Sequence, residues 1–405
     1  VRIAFAVAPG RLLRALRGQG AILRLLYVLF YSSGVSWSSF FPVYLLSVGL
    51  SGLQIGTLSG IGPAAMLVSQ PLWGLVADLR GRRRTLLLTM GLAALVLPGY
   101  AWPGGFWFLL TWGTLHALLA SPISPLIDSL VLDHLEERRG STFGQVRMWG
   151  AVGWAAGAML VGRAIAGRDI RLIFAFGSAF MLAGLILAWR GTREAGGPVS
   201  LGKNWRGAGS LWRNRRLMAY LALLVFLQLG TASIWSFYPV YMTQLGASRE
   251  MLGLAITLRG LSEMPLYLTA AWIIKHFTSG RALVFAFLVF ACRALLYSVL
   301  RVPALGVAVE ATHGLSFSLF LVASVDYVHR LVPREWRATG QALFSAAWFG
   351  AGSILGNAWA GWLYDRVGVQ AMFGVNGALI LVGALVAAVV LKGPIAPRAA
   401  QRDRR

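Results

Sequence analysis

The stretch GLVADLRGRRR, Gly74 to Arg84, joins two apolar runs that are each too long for a soluble core helix. A cassette this charged and this short, set between such runs, is a loop at a membrane face. Asp78 is placed to cap or ion-pair at a helix end, and Gly81 permits a tight turn. Arg80, Arg82, Arg83 and Arg84 hold the loop on the cytoplasmic side.

Composition agrees. The 405 residues are 57% hydrophobic and 13% charged, with a mean hydropathy of +0.68. At roughly 20 apolar residues per span, the chain holds about a dozen membrane helices and short loops. Spans are predicted over 22–47, 53–77, 85–102, 106–134, 142–165, 171–189, 217–245, 251–274, 282–300, 304–330, 339–364 and 370–391. The net charge of +23 does not mark a nucleic-acid binder, because the arginines fall in the loops between spans. They concentrate on one side, which sets both termini in the cytoplasm. The loop around Arg163, Arg168 and Arg171 is the basic exception on the other side. The first twenty residues, with Arg2, Arg11, Arg14 and Arg17, read as a basic cytoplasmic segment and not a signal peptide. The single cysteine, Cys292, lies in an apolar run and excludes a disulfide within the chain and a cysteine metal cluster. No phosphate-binding glycine loop, zinc-protease motif or nucleophile elbow occurs, so neither ATP drive nor an enzyme is indicated. No metal or cofactor is implied.

The glycine-rich, basic stretch at 191–216 divides the chain into a six-helix bundle over 1–190 and a second over 217–392, followed by a basic tail at 393–405. An internal repeat supports the division. SFFPVY at 39–44 recurs as SFYPVY at 236–241, and the same offset pairs Gly49 with Gly246, Ser51 with Ser248 and Gly56 with Gly253. Two parallel six-helix repeats with a substrate site near the midplane form an architecture that rocks for alternating access.

The pattern G-x-x-x-D-x-x-G-R-R-R resembles the signature loop between helices 2 and 3 of the major facilitator superfamily. That resemblance implies an all-α integral membrane protein of twelve transmembrane helices in two six-helix pseudo-repeat bundles. It also implies a secondary transporter in the plasma (inner) membrane, working as a monomer on a small solute and protons, with the lipid bilayer as its other partner. Gly74, Asp78, Gly81 and Arg82 are then expected to govern the conformational equilibrium without touching solute.

Ionisable groups inside spans are costly and by default mark function. Asp128 on the fourth span and Arg147 on the fifth both lie roughly 10 Å in from the same face, so they can meet. Trp154, two turns after Arg147, shares its helical face. An arginine that bonds oxygens beside an indole that stacks on a ring is a half-site for a small cyclic solute. The alternative is a structural ion pair with Trp154 as packing. FGQVRMWGAVGWA at 143–155 resembles the fifth helix of the lactose permease, whose arginine and tryptophan at these places engage sugar. SPLID at 124–128 matches the place of that family's sugar-binding carboxylate, with Asp for Glu and one extra residue in the following loop.

The second half carries Arg259 and Glu263 on the eighth span, Arg293 on the ninth, and Glu310 and His313 on the tenth, at similar depths. A carboxylate's proton affinity depends on burial and on nearby cations, so moving a cation can load or unload it. Glu263, Arg293, Glu310 and His313 are therefore the expected proton-coupling set, with Glu310 favoured for its place beside His313. Glu263 and His313 are also expected to bind solute. The alternative is a set of buried salt bridges that fix helix register. The twenty-residue spacing from Arg293 to His313 is that of the lactose permease, but the position of its proton-carrying glutamate is Ser316 here. GLSEMPLYL, VEATHGLSFSLF and RATGQALFSAAWFGAG instead resemble the phenylpropionate-permease branch. GWLYDRVG at 361–368 resembles the end of helix 11 in the superfamily and reads as a turn with an ion pair. The leading expectation is proton-coupled symport of a small organic solute (an aromatic acid, sugar or nucleoside). The alternatives are proton-driven efflux and a transporter-like sensor that does not turn over.

Overall fold

The computed structural model describes residues 19–102, 104–137, 143–192, 209–333 and 336–391. The basic N-terminal segment, most of the central loop and the basic tail lie outside the described residues. Among the described residues every regular element is helical, the solution a chain must adopt in lipid, where each backbone N–H and C=O has to be satisfied within the protein. The helices are α1 (Gln19–Ser38), α2 (Phe41–Ser47), α3 (Gly52–Arg80), α4 (Arg82–Val96), α5 (Phe106–Ala120), α6 (Ile123–Glu137), α7 (Phe143–Ala164) and α8 (Leu172–Gly191). They continue as α9 (Gly209–Trp212), α10 (Arg215–Ser236), α11 (Tyr238–Gln244), α12 (Arg249–His276), α13 (Ser279–Val299), α14 (Pro303–Glu310), α15 (Leu319–Leu331), α16 (Arg337–Ser345) and α17 (Ser353–Val390). Single π-helical turns, Gly314–Ser318 and Ala346–Gly352, interrupt the tenth and eleventh predicted spans.

Eight helices among the described residues are long and apolar enough to cross a membrane. The last of them, Thr339–Val390, runs 52 residues and would reach roughly 78 Å as one rod at 1.5 Å per residue, far more than a bilayer needs. Gly368, at φ 77° and ψ 170°, breaks it into two spans. The helices α1, α7 and α12 fall outside the eight. The latter two carry Arg147, Arg259 and Glu263, whose charges lower their apolar signal.

Packing divides the chain into two compact units, Val1–Tyr44 with Ala65–Leu201 and Leu45–Ala64 with Gly202–Arg405. In the first unit, α1 packs along α7 and α8, and Leu26, Tyr27, Leu86, Met90 and Ile127 form a fully buried core. Small residues allow the contact between α1 and α7. Ser32 Oγ donates to the Gly153 carbonyl at 2.8 Å, and a Cβ at Gly153 would sit 2.3 Å from the Val28 carbonyl oxygen. Gly150, Gly153 and Gly157 thus serve close helix packing, as their spacing predicts. In the second unit, α10 and α13 both pack along α17.

The internal repeat is visible in each unit. Its prolines, Pro42 and Pro239, open the short helices α2 and α11 after breaks in the preceding span. The tyrosine that ends each hexapeptide donates its hydroxyl to a backbone carbonyl, Tyr44 to Tyr100 at 2.6 Å and Tyr241 to Leu300 at 3.0 Å. Gly49 and Gly246 turn the chain with φ of 82° and 83°.

Candidate functional site

In the first unit, Asp128 on α6 and Arg147 on α7 do meet, with Arg147 Nη1 3.0 Å from Asp128 Oδ1. Both side chains are part-exposed, at 41% and 29% of full exposure. Tyr27 on α1 donates its hydroxyl to the same Asp128 oxygen at 2.5 Å. The guanidinium lies over the rings of Tyr31 and Tyr27, 5.6 and 6.0 Å from their centroids. Tyr31 takes this place because it packs on Gly150, where a Cβ would come within 2.7 Å of its ring. The predicted indole partner lies further along the same seam. Trp154 is beside Gly34, and its ring makes no stacking contact among the described residues. The aromatic lid over Arg147 is therefore a pair of tyrosines on α1, which the sequence reading missed. Tyr27, Tyr31 and Gly34 follow the i, i+4, i+7 rhythm of one helix face, but nothing in the sequence tied that face to α7.

In the second unit all five predicted charged groups gather. Glu310 ends α14 and is fully buried. Arg259 Nε on α12 binds its Oε2 at 2.5 Å, and Arg293 Nη2 on α13 binds its Oε1 at 2.9 Å. Tyr297, one turn after Arg293, donates its hydroxyl to Oε1 at 2.5 Å. Two guanidinium groups and a phenol thus fix this carboxylate. Arg293 Nη1 also donates to Ser316 Oγ at 2.8 Å and meets His313 Nδ1 at 3.0 Å. Arginine only donates, so Nδ1 is the acceptor and the ring proton sits on Nε2. That nitrogen faces Glu263 Oε1 at 3.5 Å.

Glu263 is held differently. Its Oε2 accepts from Tyr267 at 3.0 Å, its side chain is 18% exposed, and among the described residues no arginine lies within ion-pair distance. Arg259, one turn earlier on α12, turns away to Glu310 and lies between the rings of Trp235 and Tyr238, at 5.2 and 5.3 Å. Its Nη2 is buried without a hydrogen-bond partner among the described residues. Trp235 meets His313 and Phe317 edge-on, each at 5.0 Å. The π turn at Gly314–Ser318 makes this geometry possible. Ser262 Oγ accepts from the Gly314 amide at 2.9 Å, and a Cβ there would fall 2.0 Å from the Ser262 carbonyl, so α12 and the tenth span are fused at this point.

The segment from Gly74 to Arg84 is built around a tight turn. Gly81, at φ 95°, makes the turn between α3 and α4. Arg82 pairs with both oxygens of Asp133 on α6 at 2.7 Å, and Arg83 donates to the Trp189 carbonyl at 2.6 Å. Gly74 faces open space. Asp78 makes no side-chain bond among the described residues; the acidic partner in this loop's network is Asp133, which the sequence reading did not single out. No group of three or more His, Cys, Asp or Glu capable of holding a metal occurs among the described residues.

A helical bundle with buried charges of this kind defines a multi-pass membrane transporter. The family model described as "MFS_1 like family" matches residues 21–375, and the chain belongs to that family of the major facilitator superfamily. It is 30% identical to a maltose permease of Geobacillus stearothermophilus, over 90% of this chain and 93% of the relative. It is 24% identical to a probable 3-phenylpropionic acid transporter of Escherichia coli, over 84% and 90%. A lactose permease of Klebsiella oxytoca is 23% identical over 87% and 90%. Among solved structures, the nucleoside transporter NupG superposes with a TM-score of 0.82 at 16% identity, covering 93% of this chain and 99% of that one. The fold is the major facilitator fold, and the protein is a solute transporter, not an enzyme.

Proposed function

We propose that the protein is a proton-coupled symporter of a small, neutral, hydroxyl-bearing solute of sugar size, with Glu263 as the proton site. One observation carries this reading. Among the described intramembrane carboxylates, Asp128 and Glu310 are bound by arginine, and Glu263 is not. Glu310 serves as the fixed anion that positions Arg259 and Arg293, a different role from the one its place beside His313 first suggests. His313, with Nδ1 held by Arg293, relays contact through Nε2 and does not itself carry the proton.

The preference for a neutral solute rests on hydrogen-bonding chemistry and not on net charge. Asp128 and Arg147 cancel, but a proton on Glu263 leaves Arg259 and Arg293 against Glu310 alone. A carboxylate that accepts beside a guanidinium that donates suits hydroxyls, which do both. The relatives named for maltose and lactose agree with this class, whereas the phenylpropionic acid relative favours an organic anion. Symport of a proton with a neutral solute moves one positive charge per cycle. Uptake by proteoliposomes, screened over maltose, lactose, nucleosides and 3-phenylpropionate, is expected to rise with an acidic exterior and with an inside-negative potential. Uptake of 3-phenylpropionate alone, unaffected by potential, would overturn the neutral-solute reading.

A further inference from the structure

The two oxygens of Glu263 meet different groups. Oε2 accepts from the Tyr267 hydroxyl at 3.0 Å, the one hydrogen bond this carboxylate makes among the described residues. Oε1 faces His313 Nε2 at 3.5 Å, too far for a full bond, and that nitrogen is buried without a hydrogen-bond partner. The Ser318 hydroxyl on the π turn acts toward the same carboxylate but likewise completes no bond. Glu310 is bound by Arg259, Arg293 and Tyr297 together. The ionised form of Glu310 therefore rests on two guanidinium groups, and that of Glu263 on one phenol.

Tyr267 stands one turn after Glu263 on the same face of α12. Its ring is 42% exposed, so its place is not set by core packing. The bond spans Pro265, which lies inside the helix. Proline has no N–H, so the Leu261 carbonyl lacks its helical partner there. The side-chain bond thus joins two turns where the backbone joins them less firmly.

The charged groups around Glu263 are committed elsewhere. On α12, Arg259 acts on it from one turn away, but its Nε binds Glu310. Of the helices packed against α12, α13 brings Arg293 and Tyr297 and α14 brings Glu310, which bind one another. Arg293 reaches toward Glu263 only through His313 Nδ1. Tyr238 of α11 donates to the Gly306 carbonyl. On α15, Asp326 and Arg330 pair with each other, and they and His329 lie roughly 20 Å along the helix from His313.

A donor to a carboxylate favours its ionised form. We propose that Tyr267 is a positioning residue for Glu263: its hydroxyl turns the carboxylate toward His313 and sets the pH at which it takes up its proton. This rests on the reading of Glu263 as the proton site.

The test is an infrared titration of the full-length protein in nanodiscs, following the C=O stretch of the protonated acid that Glu263→Gln removes. Tyr267→Phe keeps the ring and loses only the hydroxyl. It is expected to raise the midpoint of that band by about one pH unit, about a tenfold rise in proton affinity. An unchanged or lowered midpoint overturns the proposal, and so does the absence of any titrating band that Glu263→Gln removes. Accumulation of solute by proteoliposomes separates this outcome from the reading it rests on. A raised midpoint in Tyr267→Phe, with wild-type accumulation in Glu263→Gln, supports the hold of Tyr267 on the carboxylate and counts against Glu263 as the coupling site alone.

Discussion

Replacing Glu310 by Gln removes the single negative charge that two buried guanidinium groups share. Arg259 and Arg293 are 6% and 1% exposed in their side chains, and Glu310 is not exposed at all. Gln can still accept one hydrogen bond, from Tyr297 or one arginine, but leaves two cations facing each other. Removing one partner of a buried ion pair costs about 3–5 kcal/mol. Glu263→Gln is expected to be far milder, because it loses the charge component of one hydrogen bond to Tyr267 and a 3.5 Å contact to His313, about 1 kcal/mol. At about 2–4 °C per kcal/mol for a unit of this size, the melting temperature should fall by about 10 °C in Glu310→Gln. In Glu263→Gln it should fall by only a few degrees. Intrinsic fluorescence during a thermal ramp in detergent reads both, since the chain has 16 tryptophans. Equal losses in the two variants, or a larger loss in Glu263→Gln, would refute the division of the cluster into a fixed anion and a loadable one.

Arg147→Lys should reduce solute affinity at least tenfold without unfolding the protein, because an ammonium cannot reproduce the fork that meets Asp128 while lying over two tyrosine rings; binding calorimetry on the folded variant checks this. Tyr31→Ala should weaken binding more than Trp154→Phe does, measured in the same assay, since Tyr31 and not Trp154 lies against the guanidinium. Gly153→Val should abolish folded expression, as its Cβ would enter the Val28 carbonyl; a monodisperse gel-filtration peak at wild-type yield would contradict it.

Much of the fold is legible in the sequence because lipid imposes a coarse rule that long apolar runs must become helices. The repeat hexapeptides and the Gly81 turn were readable because each depends on local chain geometry. The meeting of Asp128 with Arg147 followed from depth alone, and so did the gathering of Arg259, Glu263, Arg293, Glu310 and His313. Pairing within that cluster was not legible. Helical spacing puts Arg259 and Glu263 one turn apart on a face, which suggests a pair, but the π turn at Gly314–Ser318 and the end of α14 carry Glu310 to Arg259 instead. Tyr27 and Tyr31 were invisible because an aromatic in an apolar helix is ordinarily packing. Asp365 read as a turn with an ion pair because the sequence cannot show that its partners are the backbone amides of Gly52 and Leu53, distant in the chain.

The central claim is that Glu263 carries the coupled proton, and a neutral Gln there stands in for its permanently protonated form. Wild type and Glu263→Gln in proteoliposomes should be compared for exchange at equal concentrations and for accumulation under an imposed pH gradient, using the panel solute with the highest uptake. Glu263→Gln is predicted to exchange solute at rates comparable to wild type and to accumulate none above equilibrium, while wild type does both. Accumulation at the wild-type level by Glu263→Gln would contradict the assignment.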